Sequence, residues 1–169
     1  MDYFSAALAI LSALHFTVAR FFFTGRPERR RLYTLWTIGC ALAYTSHVSY
    51  LYMLPRFDYT YNIIFNLIVG MSHNLLWAIY SLPSSFTIVR RFPSTMTPRN
   101  YRPTFASTAA LCVGLTIIAT LLELFDFPPI GRVLDAHALW HAATIPIAIV
   151  WYKFLINDTL DEGWRVNRL

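Results

Sequence analysis

Charge is what this sequence has least of. Asp, Glu, Lys and Arg together make up 14% of its 169 residues, against 56% hydrophobic and 17% aromatic ones, and the mean hydropathy is +0.45. A water-soluble domain carries about a quarter charged residues, so this balance excludes one and predicts an integral membrane protein. Cysteine is scarce as well. Cys40 and Cys112 both sit inside apolar runs, where a free thiol behaves as a small hydrophobe, which sets aside disulfide and metal roles for them. Alternation of polar and apolar residues is missing too. The apolar runs are too long for strands, and a backbone facing lipid must satisfy its hydrogen bonds within its own segment. There is no internal repeat, no low-complexity tract and no stretch with the composition of a soluble domain.

Long apolar runs are what the sequence does have. Five segments, about 3–23, 33–54, 61–82, 104–125 and 136–156, have the roughly 20 residues needed to cross a hydrocarbon core of about 30 Å. The expected fold is all-α: one polytopic membrane bundle over residues 1–169, with short connections apart from 83–103. The first segment is too long for a signal peptide, and its basic residues follow the apolar run instead of preceding it.

The net charge of +5 would suit a nucleic-acid partner only if the arginines formed an aromatic-basic surface, and they do not. They are partitioned by loop. "TGRPERRR" carries Arg26, Arg29, Arg30 and Arg31; "VRRFPSTMTPRNYRP" carries Arg90, Arg91, Arg99 and Arg102; the tail carries Arg165 and Arg168. "LPRFDYTY" and "DFPPIGR" hold one each, Arg56 and Arg132. The positive-inside rule then predicts both basic loops and the C-terminus in the cytosol and the N-terminus on the lumenal or external face.

With that orientation, most ionisable residues near the spans fall toward the lumenal end: Asp2, His47, Asp58, Glu123, Asp126, Asp135, His137 and His141. Such groups are costly at membrane depth and usually face a polar cavity or each other. In "DAHALWH", His137 and His141 are four residues apart and leave one helix face a turn apart. That spacing suits one metal ion, and two imidazoles with a carboxylate and a water would give zinc a catalytic coordination. It equally suits two interfacial histidines that hydrogen-bond water, tyrosine hydroxyls or backbone. Asp135, two residues before His137, cannot share that face and reads as a helix N-cap or a partner for a lumenal group.

The other polar residues read more simply. His73 and His15 are interhelical packing residues, His73 with Ser72 or Asn74 as neighbours. His47 stands beside Ser46, but a serine–histidine nucleophile needs a third orienting group. Arg20 is expected to snorkel to the cytosolic headgroups, Asp126 to end a helix before proline, and Glu123 to support a polar cavity or sit at the interface.

Taken in order, "MDYF" (1–4), "HVSYL" (47–51), "FDYTYN" (57–62), "LELFDFPP" (122–129), "VLDAHALWHAATIP" (133–146) and the ending "FLINDTL" resemble the post-GPI-attachment-to-proteins factor 3 family over residues 1 to about 160. That family belongs to a superfamily of seven-helix membrane hydrolases that also holds the alkaline ceramidases and the progestin and adiponectin receptors. The resemblance implies GPI-anchor lipid remodelling in the endoplasmic reticulum or Golgi membrane, with hydrolysis of the sn-2 acyl ester of the GPI phosphatidylinositol by a metal-activated water. The implied partners are GPI-anchored proteins, their lipid and the bilayer, and the implied cofactor is zinc. His137 and His141 match two metal-binding histidines, and Asp2 matches the aspartate opening the family's third helix, a catalytic position. His47 and Glu123, with Asp135, take supporting or structural places.

The same resemblance puts a third histidine, a serine, a cysteine-rich region and two helices upstream of the point matched by Met1. The expectation is therefore five helices of seven, in a fragment, truncated gene model or shortened isoform without activity of its own. The alternative is a non-catalytic membrane scaffold or receptor-like member of the superfamily. No retention signal such as KDEL ends the chain, which finishes "WRVNRL".

Overall fold

The computed structural model describes residues 2–93, 97–125, 127–131 and 134–167, and within these the side chains of Asp2, Glu123 and residues 165–167 lie outside the description. The described residues are helical and contain no strand, only an isolated bridge between Ile130 and Leu134. Five α-helices follow in order: α1 Asp2–Val18, α2 Arg30–Met53, α3 Tyr59–Ser81, α4 Ala106–Leu124 and α5 Ala136–Leu160. A π-helical turn, Ala19–Phe23, prolongs α1, and short 3-10 turns at Pro27–Arg29, Ser84–Phe86 and Glu162–Asn167 punctuate the chain.

By length and composition, three stretches can cross a membrane: Tyr3–Phe23, Tyr59–Ser81 and Ala136–Leu160. The apolar part of α4, Ala106–Leu122, is shorter. α2 has the length, 24 residues, but hydroxyl-bearing residues such as Thr34, Thr37, Thr45 and Ser46 dilute its apolar content. Hydroxyls within the helices bond backward to their own backbone. Thr116 donates to Cys112 O at 2.8 Å and Thr120 to Thr116 O at 2.9 Å, which keeps a polar group satisfied without a partner from outside the helix.

Helix limits have local causes. Gly25, at φ 72°, reverses the chain after α1, a conformation that only a residue lacking Cβ adopts readily. Pro27 then starts the turn into α2. Asp58 precedes α3 and accepts from Tyr61 N at 2.9 Å, satisfying one of the first-turn donors that a helix leaves open. Pro83 follows the end of α3.

The chain divides within α3 into two compact units, Met1–Leu76 and Trp77–Leu169. In the first, Leu11 and Leu14 of α1, Cys40 of α2 and Val69 of α3 form a buried cluster ringed by Ile10, Trp36, Tyr44 and Phe65 among others. Two histidines tie helices together here. His73 Nδ1 lies 2.8 Å from Thr17 Oγ1, and His15 Nε2 3.0 Å from Thr37 Oγ1. His73 thus bonds across to Thr17, and the Ser72 hydroxyl donates to Ile68 O. Arg20 departs from the expectation of snorkelling: it is buried, its guanidinium 4.9 Å from the Phe21 ring centre.

In the second unit α4 and α5 pack on each other. Trp77, Tyr80, Trp151 and Phe154 meet with ring centres 5.2–5.7 Å apart and mostly edge to face, the arrangement aromatic quadrupoles favour. Tyr80 donates to the buried Asp158 at 2.8 Å, and Trp164 Nε1 donates to Asp158 O at 2.7 Å.

Arginines of the loop after α3 bond to backbone carbonyls. Arg91 is 2% exposed; it donates to Tyr80 O at 2.7 Å, to Tyr101 O at 3.1 Å and to Leu82 O. Arg102 adds bonds to Ser81 O and Leu82 O at 3.1 Å each. The last carbonyls of α3, which a helix end leaves without internal donors, are thereby capped by two guanidinium forks.

Candidate functional site

α5 begins where a loop aspartate supplies the missing acceptor. Asp135 has extended backbone angles and its Oδ1 accepts from Ala138 N at 2.7 Å, so it is the N-cap of the helix. The first turn that follows carries His137, and the next carries His141. Helical spacing brings the two imidazoles to one face, with Nε2 to Nε2 at 3.0 Å and ring centres 4.5 Å apart at 89°. Both are exposed. At this distance one ring N–H donates to the other's lone pair, which the neutral tautomers permit. Trp140 lies beside the pair, its ring centre 5.6 Å from His137 and 4.5 Å from His141. The reading of "DAHALWH" passed over this tryptophan, although its place three residues after His137 and one before His141 sets it next to both.

Two nitrogen ligands about 2.05 Å from a tetrahedral zinc stand ~3.3 Å apart. The observed 3.0 Å is within a few tenths of an ångström of that, so the pair fits two corners of such a site with small side-chain adjustments. Among the described residues, no group of three His, Cys, Asp or Glu side chains gathers around a common point. The pair is a partial donor set.

The first unit holds the other candidates. Asp2 opens α1, and its side chain lies outside the description. The residues after it are packed among aromatic rings. Tyr3 packs on Phe57 at 4.8 Å and on Tyr59 at 5.6 Å, those two meet each other at 4.9 Å, and Phe4 lies 6.3 Å from Phe57. Tyr44 donates to Phe4 O at 3.3 Å. The "FDYTYN" stretch therefore holds the start of α1 through its aromatic rings, while its aspartate caps α3 and accepts from Tyr50 OH at 3.4 Å.

His47 is fully buried, stacked on Phe65 at 4.0 Å and Tyr61 at 5.4 Å. Neither ring nitrogen has a partner of hydrogen-bonding geometry, Asn62 being the polar side chain beside it. No bond joins it to Ser46, which is exposed, so the structure does not assemble a serine–histidine pair. Glu123 belongs to α4 with its side chain outside the description, and Asp126 lies outside the described residues.

A sequence profile described as the Per1-like family matches residues 1–159. The chain belongs to the Per1-like family. Among its curated relatives, GPI-specific phospholipase A2-like PGAP3 of Cricetulus griseus is 33% identical over 163 residues, which are 95% of this chain and 44% of that protein. The protein of the same name from Danio rerio is 37% identical over 160 residues, 95% of this chain and 45% of the relative. Protein PER1 homolog of Schizosaccharomyces pombe is 35% identical over 159 residues, 93% and 43%. This Per1-like chain thus spans less than half the length of the relatives it matches. No solved structure matches it significantly. The region matched by the Per1-like profile takes in α1 to α5, and with them Asp2, His47 and the His137–His141 pair.

Proposed function

We propose that this chain serves GPI-anchor lipid remodelling, the reaction being hydrolysis of the sn-2 acyl ester of the GPI phosphatidylinositol in the endoplasmic reticulum or Golgi membrane. The observation that carries the reading is the His137–His141 pair, two imidazole nitrogens 3.0 Å apart on one face of α5, in a Per1-like chain whose relatives are named GPI-specific phospholipase A2-like. The charge of the loops supports a topology with the N-terminus lumenal and the C-terminus cytosolic.

In this reading His137 and His141 hold a zinc ion through Nε2, and Asp135 fixes the turn from which His137 projects. Zinc, when bound, supplies the Lewis acidity that makes water a nucleophile near neutral pH. Asp2, which opens α1, is the candidate general base of the full-length enzyme and would accept or orient a proton there. Trp140 gives the pair an apolar flank that restricts the rotamers of both rings. GPI-anchored proteins and their lipid are the substrate.

Two readouts test this. Zinc content of the purified chain, by elemental mass spectrometry, should fall on His137→Ala or His141→Ala. A Per1-like protein of full length carrying the substitution equivalent to His137→Ala should no longer release sn-2 fatty acid from GPI-anchored protein. Turnover that persists in a metal-free variant would remove zinc from the chemistry. A chain that neither binds metal nor alters lipid would instead be the non-catalytic scaffold.

A further inference from the structure

A cavity in the first unit lies far along the sequence from the histidine pair, at the junction between the π-helical extension of α1 and α2. It has a volume of about 490 Å³, and its walls include Phe23, Gly25, Arg26, Arg29, Arg30 and Tyr33. Its position is set by sequence: α1 and its π-helical extension make up the apolar stretch Tyr3–Phe23, so the cavity opens where that stretch gives way to charge. Phe23 and Tyr33 meet at 5.7 Å and form an aromatic wall.

The opposite wall is basic and ordered. Thr24 N donates to Ala19 O at 2.8 Å, Arg26 N to Phe23 O at 3.0 Å and Arg29 N to Arg26 O at 3.0 Å, which fixes the loop backbone. Arg26 Nη1 donates to Phe21 O at 2.6 Å and Arg29 Nη1 to Phe22 O at 3.3 Å. These bonds aim both guanidinium planes at the end of α1 and spare them the rotamer freedom that binding would otherwise have to remove. Arg30 opens α2, is exposed, and lines the same cavity. The positive end of a 24-residue helix therefore adds to three arginines. Glu28 is the acidic residue of this loop and is not part of the cavity lining.

We infer that this cavity binds the phosphate-bearing headgroup of an anionic phospholipid, its glycerol and upper acyl carbons lying along Phe23 and Tyr33. A planar guanidinium fork matches phosphate oxygens two at a time, and the aromatic wall at the end of an apolar stretch suits the interfacial part of a lipid. A free phosphate would use the arginines and leave the aromatic wall bare. The site rests on the π-helical extension of α1, the loop and 3-10 turn after it and the start of α2, and does not depend on the hydrolase reading.

Native mass spectrometry of the detergent-purified chain tests the proposal, with equimolar dioleoyl phosphatidylserine and dioleoyl phosphatidylcholine as probes. The wild-type chain should retain phosphatidylserine in preference. A basic residue near an anionic lipid is worth roughly fivefold in affinity, so Arg30→Ala should weaken retention about fivefold and Arg29→Ala/Arg30→Ala roughly 25-fold. Arg56→Ala, in the loop between α2 and α3, should leave it unchanged. Arg30 is exposed and its side chain supports no helix end, so Arg30→Ala reads binding even where the double variant fails to fold. Equal retention by wild type and Arg30→Ala would overturn the site. An equal loss on Arg56→Ala would reduce it to net charge. Displacement of phosphatidylserine by millimolar inorganic phosphate would show a phosphate site and overturn the lipid.

Discussion

Asp135→Ala isolates the contribution of one hydrogen bond to the histidine pair. The Asp135 carboxylate accepts from Ala138 N at 2.7 Å, and its loss leaves that first-turn donor to water or to nothing. Removing an N-cap acceptor costs about 1 kcal/mol, and the charge at the positive helix end contributes a further 0.3–1 kcal/mol, roughly, when exposed to solvent. If the cost falls on the first turn, opening of the Ala138 amide becomes about fivefold more frequent from the bond alone, since 1.4 kcal/mol is about a factor of ten. Hydrogen exchange read by mass spectrometry on a peptide covering the start of α5 measures this directly. Asp135→Asn keeps an acceptor oxygen and removes the charge, so opening should rise only by the charge contribution, about two- to fivefold over wild type. If the pair holds zinc as proposed, its retention should follow the same order, because His137 sits inside the loosened turn. Equal exchange in the Asn and Ala variants would show that charge, not the cap bond, holds the turn. Exchange unchanged in both would refute the capping account.

Three further outcomes follow from the second unit. Tyr80→Phe keeps a ring packed against Trp77 and Phe154 while removing the donor to buried Asp158; a hydrogen bond to a charged group is worth about 1.5–3 kcal/mol, and unfolding in detergent should show that loss, with Asp158→Asn non-additive in a double-mutant cycle. A Cβ on Gly163 would stand 2.5 Å from the Phe92 ring, and Phe92 is held between Tyr101 and Trp164, so Gly163→Ala should destabilise by about 1–3 kcal/mol, whereas an unchanged melting temperature would show that the ring is free to move. Burial, and then the charge of Asp161, push the Tyr101 phenol above its ordinary value. The protonated phenol is therefore favoured by folding, its contribution is intact below pH ~10 and is lost as pH rises through the folded value, and wild type should lose stability more steeply above pH 10 than Tyr101→Phe.

Helix existence was legible because it depends on run length: the apolar stretches are long enough that few alternatives survive. Asp135, His137 and His141 were legible for a related reason, since capping and the four-residue spacing are properties of one helix and its first turns. What escaped is whatever depends on how one helix is rotated against another. Thr17 is 56 residues from His73, and Tyr80 is 78 from Asp158; no local pattern names either partner. Arg91 escaped for a different reason. A loop arginine reads as solvent-facing charge, and only the position of the α3 carbonyls shows that it is buried. His47 read as a supporting or structural residue, and its neighbours, the rings of Phe65 and Tyr61, were not legible beforehand.

The two guanidinium forks at the end of α3 also tie together parts of the chain that are apart in sequence. Arg91 joins Tyr80 and Leu82 to Tyr101, and Arg102 joins Ser81 and Leu82 to Ser107 at the start of α4. The connection between α3 and α4 is therefore closed on itself through two side chains, and loss of either would loosen both of its ends.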